Sequence, residues 1–139
     1  MSKVDLQEIE TKEIKWHGPF SWIGYENQNN LHKIPDIDGV YLWTFKYKDG
    51  YVVYCAGITK STRNRFRQHT LEYKSGNYTI FNIHKAEQGR RVEIWHGWSY
   101  AREHRDEFNE RKEEILNAVD KQLKSFRVFV AQVPEKRIK

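Results

Sequence analysis

The sequence predicts an α+β fold in which a small antiparallel β-sheet, beginning with a β-hairpin, is flanked by helices. Residues 39–47 and 51–57 are rich in β-branched and aromatic side chains, and the turn signal Lys48-Asp49-Gly50 separates them. This pattern is typical of two strands joined as a hairpin. Helical spacing of apolar residues then occurs twice further along the chain. Strands followed by helices favour a sheet covered by helices.

Two helices are predicted after the hairpin. The first covers residues 62–73, where apolar residues recur at helical spacing among arginines, and Ser61 or Thr62 can cap its N-terminus. The second covers residues 102–124, since its apolar residues share one stripe and no Gly or Pro interrupts it.

The remaining segments give two further strands and an N-terminal arm. Strands are predicted at residues 92–95 and 126–131, where apolar residues follow one another. Residues 16–37 contain aromatic residues among prolines, asparagines and glutamines, so we expect an irregular arm without regular structure that packs on the core. The chain is accordingly divided into an arm, residues 1–35, and one domain, residues 36–139.

The composition indicates a soluble protein of one domain. The 139 residues are enough for one hydrophobic core but too few for two ordinary domains. Cys55 is the single cysteine and cannot form an internal disulfide, so we expect a cytoplasmic location. No apolar run approaches the roughly 20 residues of a membrane helix. We therefore expect no membrane association.

The positive charge is concentrated in one short stretch. The chain has 24 basic and 19 acidic side chains, a formal net charge of +5, which favours a polyanionic partner. Lys60, Arg63, Arg65 and Arg67 stand close together on or next to the first predicted helix. This cluster is the first place to look for a function.

Other enzyme classes find little support in the sequence. There is no Gly-Lys-Ser/Thr phosphate loop, and His84, His96 and His104 lack a Cys or His partner at zinc-ligand spacing. Cys55 has no convincing His/Asn arrangement for a thiol protease.

Three short motifs follow one another in a recognisable order. Gly39-Val40-Tyr41 lies on the first predicted strand, Tyr54-Cys55-Ala56-Gly57 on the second, and Arg65 with His69 on the next helix. Together they resemble the signature of the GIY-YIG nucleases, and a looser likeness extends over most of the chain. No single tripeptide is specific, and a lone tyrosine on a strand is more often a packed core residue. The joint spacing carries the resemblance.

The resemblance implies metal-dependent hydrolysis of DNA phosphodiester bonds. In this family a glutamate holds one divalent metal, a hairpin tyrosine helps to deprotonate the attacking water, and the helix arginine stabilises the developing charge. Mg²⁺ or Mn²⁺ is then the expected cofactor and DNA the expected partner. Tyr41, Arg65 and His69 take catalytic roles, and Arg65 and His69 share a helical face because they are four residues apart. The DNA-binding residues are then expected to be Lys60, Arg63 and Arg67.

The second tyrosine of the signature is shifted by one position. Cys55 stands two residues before Gly57, where a tyrosine is expected, and Tyr54 precedes it. Strand alternation puts neighbours on opposite faces, so either a β-bulge turns Tyr54 inward or Cys55 replaces the tyrosine. We favour a catalytic Tyr54 because a thiol is a poor substitute for a phenol, and Lys60 could partly cover for a missing tyrosine.

The metal-binding glutamate is expected on the second predicted helix. Spacing alone does not choose among its glutamates, but Glu107 and Glu114 fall together on the flank of the apolar stripe, next to Arg111. We expect Glu114 to be the catalytic metal ligand, because its distance to the final strand better resembles that in the family. Glu107 is the second choice.

Two other functions remain open from the sequence. If Cys55 replaces the second tyrosine, the domain could be a catalytically weakened module that binds nucleic acid. Alternatively, it could be an interaction domain of a larger defence or repair system. The arginines available for binding are Arg63, Arg65, Arg67, Arg90 and Arg91.

Overall fold

A computed structural model describes residues 13–133 of the chain as six strands and six helices. The strands are β1 (His17–Ser21), β2 (Gly39–Tyr47), β3 (Gly50–Thr59), β4 (Ile80–Phe81), β5 (Glu93–Trp95) and β6 (Arg127–Gln132). The helices are α1 (Glu26–Asn29), α2 (Thr62–Lys74), α3 (Ile83–Ala86), α4 (Trp98–Glu103), α5 (Arg105–Glu110) and α6 (Lys112–Ser125).

The strands form two antiparallel sheets. Four of them pair in the order β1-β6-β2-β3, and β4 pairs with β5 in a separate ribbon. Helices α2 and α6 contact each other, and α6 also contacts the β4–β5 ribbon. The predicted α+β class, with a small antiparallel sheet flanked by helices, is confirmed.

The hairpin and the helix that follows it are confirmed. Strands β2 and β3 pair throughout, but Trp43 lies opposite Cys55 and Thr44 lies opposite Val53. One residue of β3, Tyr54, therefore has no partner on β2, which is the β-bulge that the sequence offered as one alternative. Helix α2 begins one residue after Ser61, whose hydroxyl accepts a hydrogen bond from the backbone NH of Asn64.

The prediction that residues 16–37 lack regular structure was wrong. Strand β1 extends the main sheet by pairing with β6, and α1 is a single helical turn. Pro19 within a short edge strand gives a weak strand signal, since proline cannot donate to a ladder. The pairing partner lies near the other end of the chain, where a local pattern cannot reveal it. The indole of Trp22 is fully buried just after β1.

The single helix predicted over residues 102–124 was also wrong, because the segment is divided among α4, α5 and α6. The breaks fall at His104 and Arg111, whose backbone angles leave the helical region. The ring Nδ1 of His104 donates to the carbonyl of Tyr100 at 2.8 Å, and the Arg111 guanidinium donates to the carbonyl of Ile94 at 2.8 Å. No Gly or Pro marks these breaks; the first coincides with a local side-chain bond four residues back, and the second with a bond to the distant strand β5.

Aromatic rings fill the core between the main sheet and the helices. Trp22 lies edge-to-face against Phe66 at 4.8 Å and against Trp43 at 5.4 Å between ring centroids. Phe126 and Tyr73 close the same cluster. Burial of such rings is the main stabilising contribution of this core. None of the helices described between residues 13 and 133 is long and apolar enough to cross a membrane.

Candidate active site

Strand β2 and helix α2 place Tyr41 and His69 side by side. Tyr41 is only 3% exposed, and its hydroxyl is hydrogen-bonded to Nε2 of His69 at 2.9 Å. His69 is buried on the inner face of α2, in line with Phe66 and Tyr73. The helical period brings this histidine onto the sheet directly over the strand that carries the tyrosine.

Gly57 on β3 makes room for the Tyr41 side chain. The two residues are cross-strand partners, and a Cβ atom at Gly57 would lie 2.3 Å from the Tyr41 hydroxyl oxygen. Any larger residue would displace the ring. The glycine of the second motif and the tyrosine of the first are thus parts of one arrangement.

Arg65 reaches the same hydroxyl from the exposed side of α2. Its guanidinium interacts with the Tyr41 hydroxyl, and this interaction is the first cause of a raised pKa at Arg65. A hydrogen bond also joins Arg65 to Gln68 at 3.2 Å. The guanidinium lies at the surface while the phenol lies beneath it, so an anion bound by Arg65 would come next to the Tyr41 hydroxyl.

Tyr78 completes the cluster, and the sequence did not single it out. Its hydroxyl is hydrogen-bonded to Nδ1 of His69 at 2.9 Å. His69 therefore bridges two phenols, Tyr41 at one ring nitrogen and Tyr78 at the other. Tyr78 lies in the irregular segment between α2 and β4, so no helical or strand period points from it to His69. No spacing signal could have found it.

The environment of His69 keeps its ring uncharged at neutral pH. Burial, and secondly the positive charge of Arg65, lowers the pKa of His69 to about 4. A neutral imidazole has one donor nitrogen and one acceptor nitrogen. The bridge therefore has a direction: one phenol donates to the ring, and the ring donates to the other phenol. Such a chain can move a proton in one concerted step.

The start of α2 is fixed by residues on both sides of the hairpin. The Ser61 hydroxyl donates to a carboxylate oxygen of Asp36 at 2.6 Å, and this bond is the first cause of a lowered pKa at Asp36. The Thr62 hydroxyl donates to the carbonyl of Pro35 at 2.6 Å and accepts from the backbone NH of Ile37 at 3.0 Å. These bonds set the position of the helix that carries Arg65 and His69.

The three residues predicted to bind DNA lie on or beside α2, but they differ in exposure and in their hydrogen bonds. Lys60 and Arg67 are exposed, and Arg67 donates to the side chain of Asn64 at 3.3 Å. Arg63 is partly buried, and its Nε donates to the carbonyl of Ile34 at 3.1 Å. Arg63 therefore also holds the segment before the hairpin. Arg65 and Arg67 are the arginines of this helix that present most of their guanidinium to solvent.

The bulge directs Tyr54 toward the core. Its ring lies 5.1 Å from Phe81 and 5.8 Å from Phe126 between centroids, and burial raises the pKa of its hydroxyl. Among the contacts described for residues 13–133, none joins Tyr54 to Tyr41 or His69. Cys55 is partly buried, and burial raises the pKa of its thiol. The catalytic role assigned to Tyr54 stays a prediction.

Glu107 and Glu114 lie together against Arg111, as the helical wheel predicted, although α5 and α6 are separate helices. The Arg111 guanidinium pairs with Glu107 at 3.4 Å and with Oε1 of Glu114. The Tyr100 hydroxyl donates to the other oxygen of Glu107, and this bond is the first cause of a lowered pKa at Glu107. Both oxygens of Glu107 are thus engaged, whereas Oε2 of Glu114 has no described partner.

Neither glutamate is in direct contact with the Tyr41 cluster. Glu114 lines an open groove with Asn82, Glu93 and Asn117, at the end of the β4–β5 ribbon opposite to Tyr78. In the described part of the chain, no three His, Cys, Asp or Glu side chains form a group that could hold a metal ion. Mg²⁺, however, commonly takes one or two protein carboxylates and fills its shell with water and phosphate oxygens. The open oxygen of Glu114 fits this donor chemistry.

Comparisons with protein-family models, with curated proteins and with solved structures give no match for this chain. The resemblance to the GIY-YIG nucleases therefore rests on the sequence motifs alone.

Proposed function

We propose that this chain is a metal-dependent endonuclease of the GIY-YIG type, which hydrolyses phosphodiester bonds in DNA. The observation that carries the proposal is the contact of Tyr41 with both Arg65 and His69. Three residues from two separate motifs of the sequence resemblance meet at one hydroxyl group. Packing alone would not require a surface guanidinium, a buried neutral imidazole and a phenol to converge in this way.

Arg65 is the residue best placed to bind the scissile phosphate. A guanidinium forms two parallel hydrogen bonds with phosphate oxygens, and its charge opposes the negative charge that develops in the transition state. Because Arg65 is exposed and touches the Tyr41 hydroxyl, a phosphate on Arg65 brings its phosphorus close to that hydroxyl.

The hydrogen-bonded chain through His69 accounts for how Tyr41 can act on water. A phenol can accept a proton from an attacking water only if its own proton leaves. Neutral His69 can take that proton at Nε2 and pass its Nδ1 proton to the Tyr78 hydroxyl oxygen, while Tyr78 releases its own proton to solvent. Tyr78 is then the second phenol of the site, in place of the Tyr54 that the motif suggests.

Glu114 is the proposed ligand of Mg²⁺ or Mn²⁺. A bound divalent ion would supply Lewis acidity at the phosphate. The open carboxylate oxygen of Glu114 supports this choice over Glu107, whose two oxygens are engaged by Arg111 and Tyr100. Replacing each glutamate by Gln tests the choice: we expect loss of metal-dependent cleavage in Glu114→Gln, and loss in Glu107→Gln alone would contradict it.

Cleavage of supercoiled plasmid in Mg²⁺, in Mn²⁺ and in EDTA tests the proposed activity. We expect cleavage with either metal and none in EDTA. Arg65→Ala should lower the rate by about a hundredfold or more, as does loss of one transition-state donor elsewhere. Lys74→Ala is the matched control, since Lys74 is an exposed cation in the last turn of the same helix. Cleavage that is equal in both variants would contradict the role given to Arg65.

A second candidate function is a nucleic-acid-binding module without catalysis. The packing of Tyr54 against Phe81 and Phe126 favours it, because the phenol that the motif places in the site is then missing. Such a module would bind DNA with a strong dependence on salt and would cut nothing in either metal.

A further inference from the structure

Trp98 presents an indole to solvent beside the candidate active site. It is 62% exposed, whereas Trp22, Trp43 and Trp95 are each at most 2% exposed. Its ring lies 5.4 Å from the ring of Tyr78 between centroids, at an interplanar angle of 33°. The indole thus packs directly on the ring of Tyr78, which His69 bridges to Tyr41.

The backbone holds Trp98 in this position at some conformational cost. Its φ is +62°, in the left-handed region that tryptophan rarely adopts. Its backbone NH donates to the carbonyl of Asn77 at 2.8 Å, and the NH of Gly97 donates to the Thr79 hydroxyl at 3.2 Å. Gly97 packs so closely that a Cβ atom there would lie 2.4 Å from the Tyr78 carbonyl carbon. These contacts fix the position of residues 97 and 98 relative to the segment that carries Tyr78.

A fixed and exposed aromatic ring beside a phosphate-binding arginine has the chemistry of a base-stacking surface. Every nucleobase has a flat π-face, and aromatic side chains in single-strand-binding proteins stack on it. A base within a duplex is covered by its neighbours on both faces, so only an unpaired or extruded base can reach such a ring. Arg65 lies one helical turn before His69 on α2, and His69 is hydrogen-bonded to Tyr78, so the proposed phosphate-binding group and the indole belong to the same cluster.

We propose that Trp98 stacks on an unpaired nucleobase adjacent to the phosphate bound by Arg65, so that the domain prefers DNA containing single-stranded nucleotides. This inference rests on the proposed function for the identity of the ligand, but it concerns binding and does not depend on cleavage. Trp98 therefore determines specificity, and its indole packs on the ring of Tyr78.

Fluorescence anisotropy in EDTA tests the proposal with a short single-stranded oligonucleotide and with the same oligonucleotide in a duplex. We expect Trp98→Ala to weaken binding of the single strand about tenfold, as expected for loss of one stacked base, and to leave duplex binding unchanged. Trp98→Phe keeps an aromatic ring and should retain most of the affinity. Trp16→Ala is the control, because Trp16 is also exposed but precedes β1.

The outcomes separate this proposal from the nuclease proposal. Equal single-strand affinity in wild type and Trp98→Ala overturns stacking, and so does an equal loss on single strand and duplex. If Trp98→Ala loses affinity only for the single strand and the wild type cuts no plasmid, stacking is supported and the nuclease proposal is contradicted. If the wild type cuts plasmid and Trp98→Ala binds the single strand normally, the nuclease proposal is supported and stacking is contradicted. Thermal unfolding of each variant identifies any loss that comes from misfolding; if Trp98→Ala misfolds, Trp98→Asn, which tolerates the left-handed backbone at this position, takes its place with the same expected outcomes.

Discussion

At the scale of single residues, the close approach of Gly57 to Tyr41 makes the site sensitive to one methyl group. We expect Gly57→Ala to displace the Tyr41 ring, because the new Cβ would overlap its hydroxyl and Cζ atoms. Overpacking of this kind costs about 1–3 kcal/mol. Urea unfolding should show that loss, and any cleavage activity should fall with it. Gly50→Ala is the control, since a Cβ at Gly50 meets no atom within 4 Å.

The buried His69 predicts a dependence of stability on pH. Its pKa is lowered from 6.5 to about 4 on folding, so the unfolded chain binds more protons in that interval. Stability is therefore fully present above about pH 6.5 and is lost as the pH falls toward 4, by up to about 3 kcal/mol. Urea unfolding across this range should show the loss in the wild type.

The variant His69→Gln isolates this contribution. Glutamine can bond to both phenols but does not titrate, so the fall in stability between about pH 6.5 and 4 should be smaller than in the wild type. Equal slopes in the two proteins would mean that other groups cause the acid sensitivity.

The two candidate second phenols give opposite expectations. Tyr78→Phe removes a hydroxyl that is hydrogen-bonded to His69, whereas Tyr54→Phe removes the hydroxyl of a ring that packs in the core. We expect a loss of cleavage rate of about tenfold or more in Tyr78→Phe, on the order of a modest acid–base contribution. Tyr54→Phe should leave the rate unchanged. The reverse pattern would restore Tyr54 to the role that the motif suggests.

At the scale of elements, α2 depends on its N-cap for both stability and the position of Arg65. We expect Ser61→Ala to lower the free energy of unfolding by about 1 kcal/mol, because it leaves the NH of Asn64 without its cap and removes the bond to Asp36. Urea unfolding measures this loss. Ser75→Ala at the other end of the helix is the control, since the Ser75 hydroxyl makes no hydrogen bond described for this part of the chain.

Elements whose signals are local were predictable, and elements fixed by distant contacts were not. The hairpin and α2 are encoded by turn residues, β-branched runs and a cap within a few positions. Strand β1 depends on β6 for its pairing. The break at Arg111 depends on a bond to the distant carbonyl of Ile94, whereas the local bond from His104 to the carbonyl of Tyr100 leaves no signal in the apolar pattern. Periodicity therefore foresaw the amphipathic face of α6 but not where that helix begins.

The same distinction holds for the site. Tyr41, Arg65 and His69 could be predicted because a hairpin and the next helix hold them at fixed sequence spacing. Tyr78 could not, since an irregular segment carries it to His69. The distance between Glu114 and the phenols was beyond sequence reasoning as well, because it depends on how α6 packs on the β4–β5 ribbon.

At the scale of the whole molecule, one sheet, one helix and the irregular segment after that helix bring together a surface cation, a neutral imidazole and two phenols. In the proposed function, the exposed guanidinium of Arg65 would supply the charge and the indole of Trp98 the stacking surface for a nucleic acid. The net charge of +5 adds a general attraction to polyanions. We therefore expect the surface side chains to bind and the hydroxyl beneath them to carry the chemistry.

The central claim is that Tyr41 acts on the phosphate that Arg65 binds. The most direct test is the single-turnover rate of DNA cleavage in Mg²⁺, at saturating protein, for wild type and Tyr41→Phe. The account predicts that the wild type cuts and that Tyr41→Phe binds DNA normally but is slower by about a hundredfold. Equal rates in the two proteins, or a wild type that binds DNA and cuts none, would contradict it.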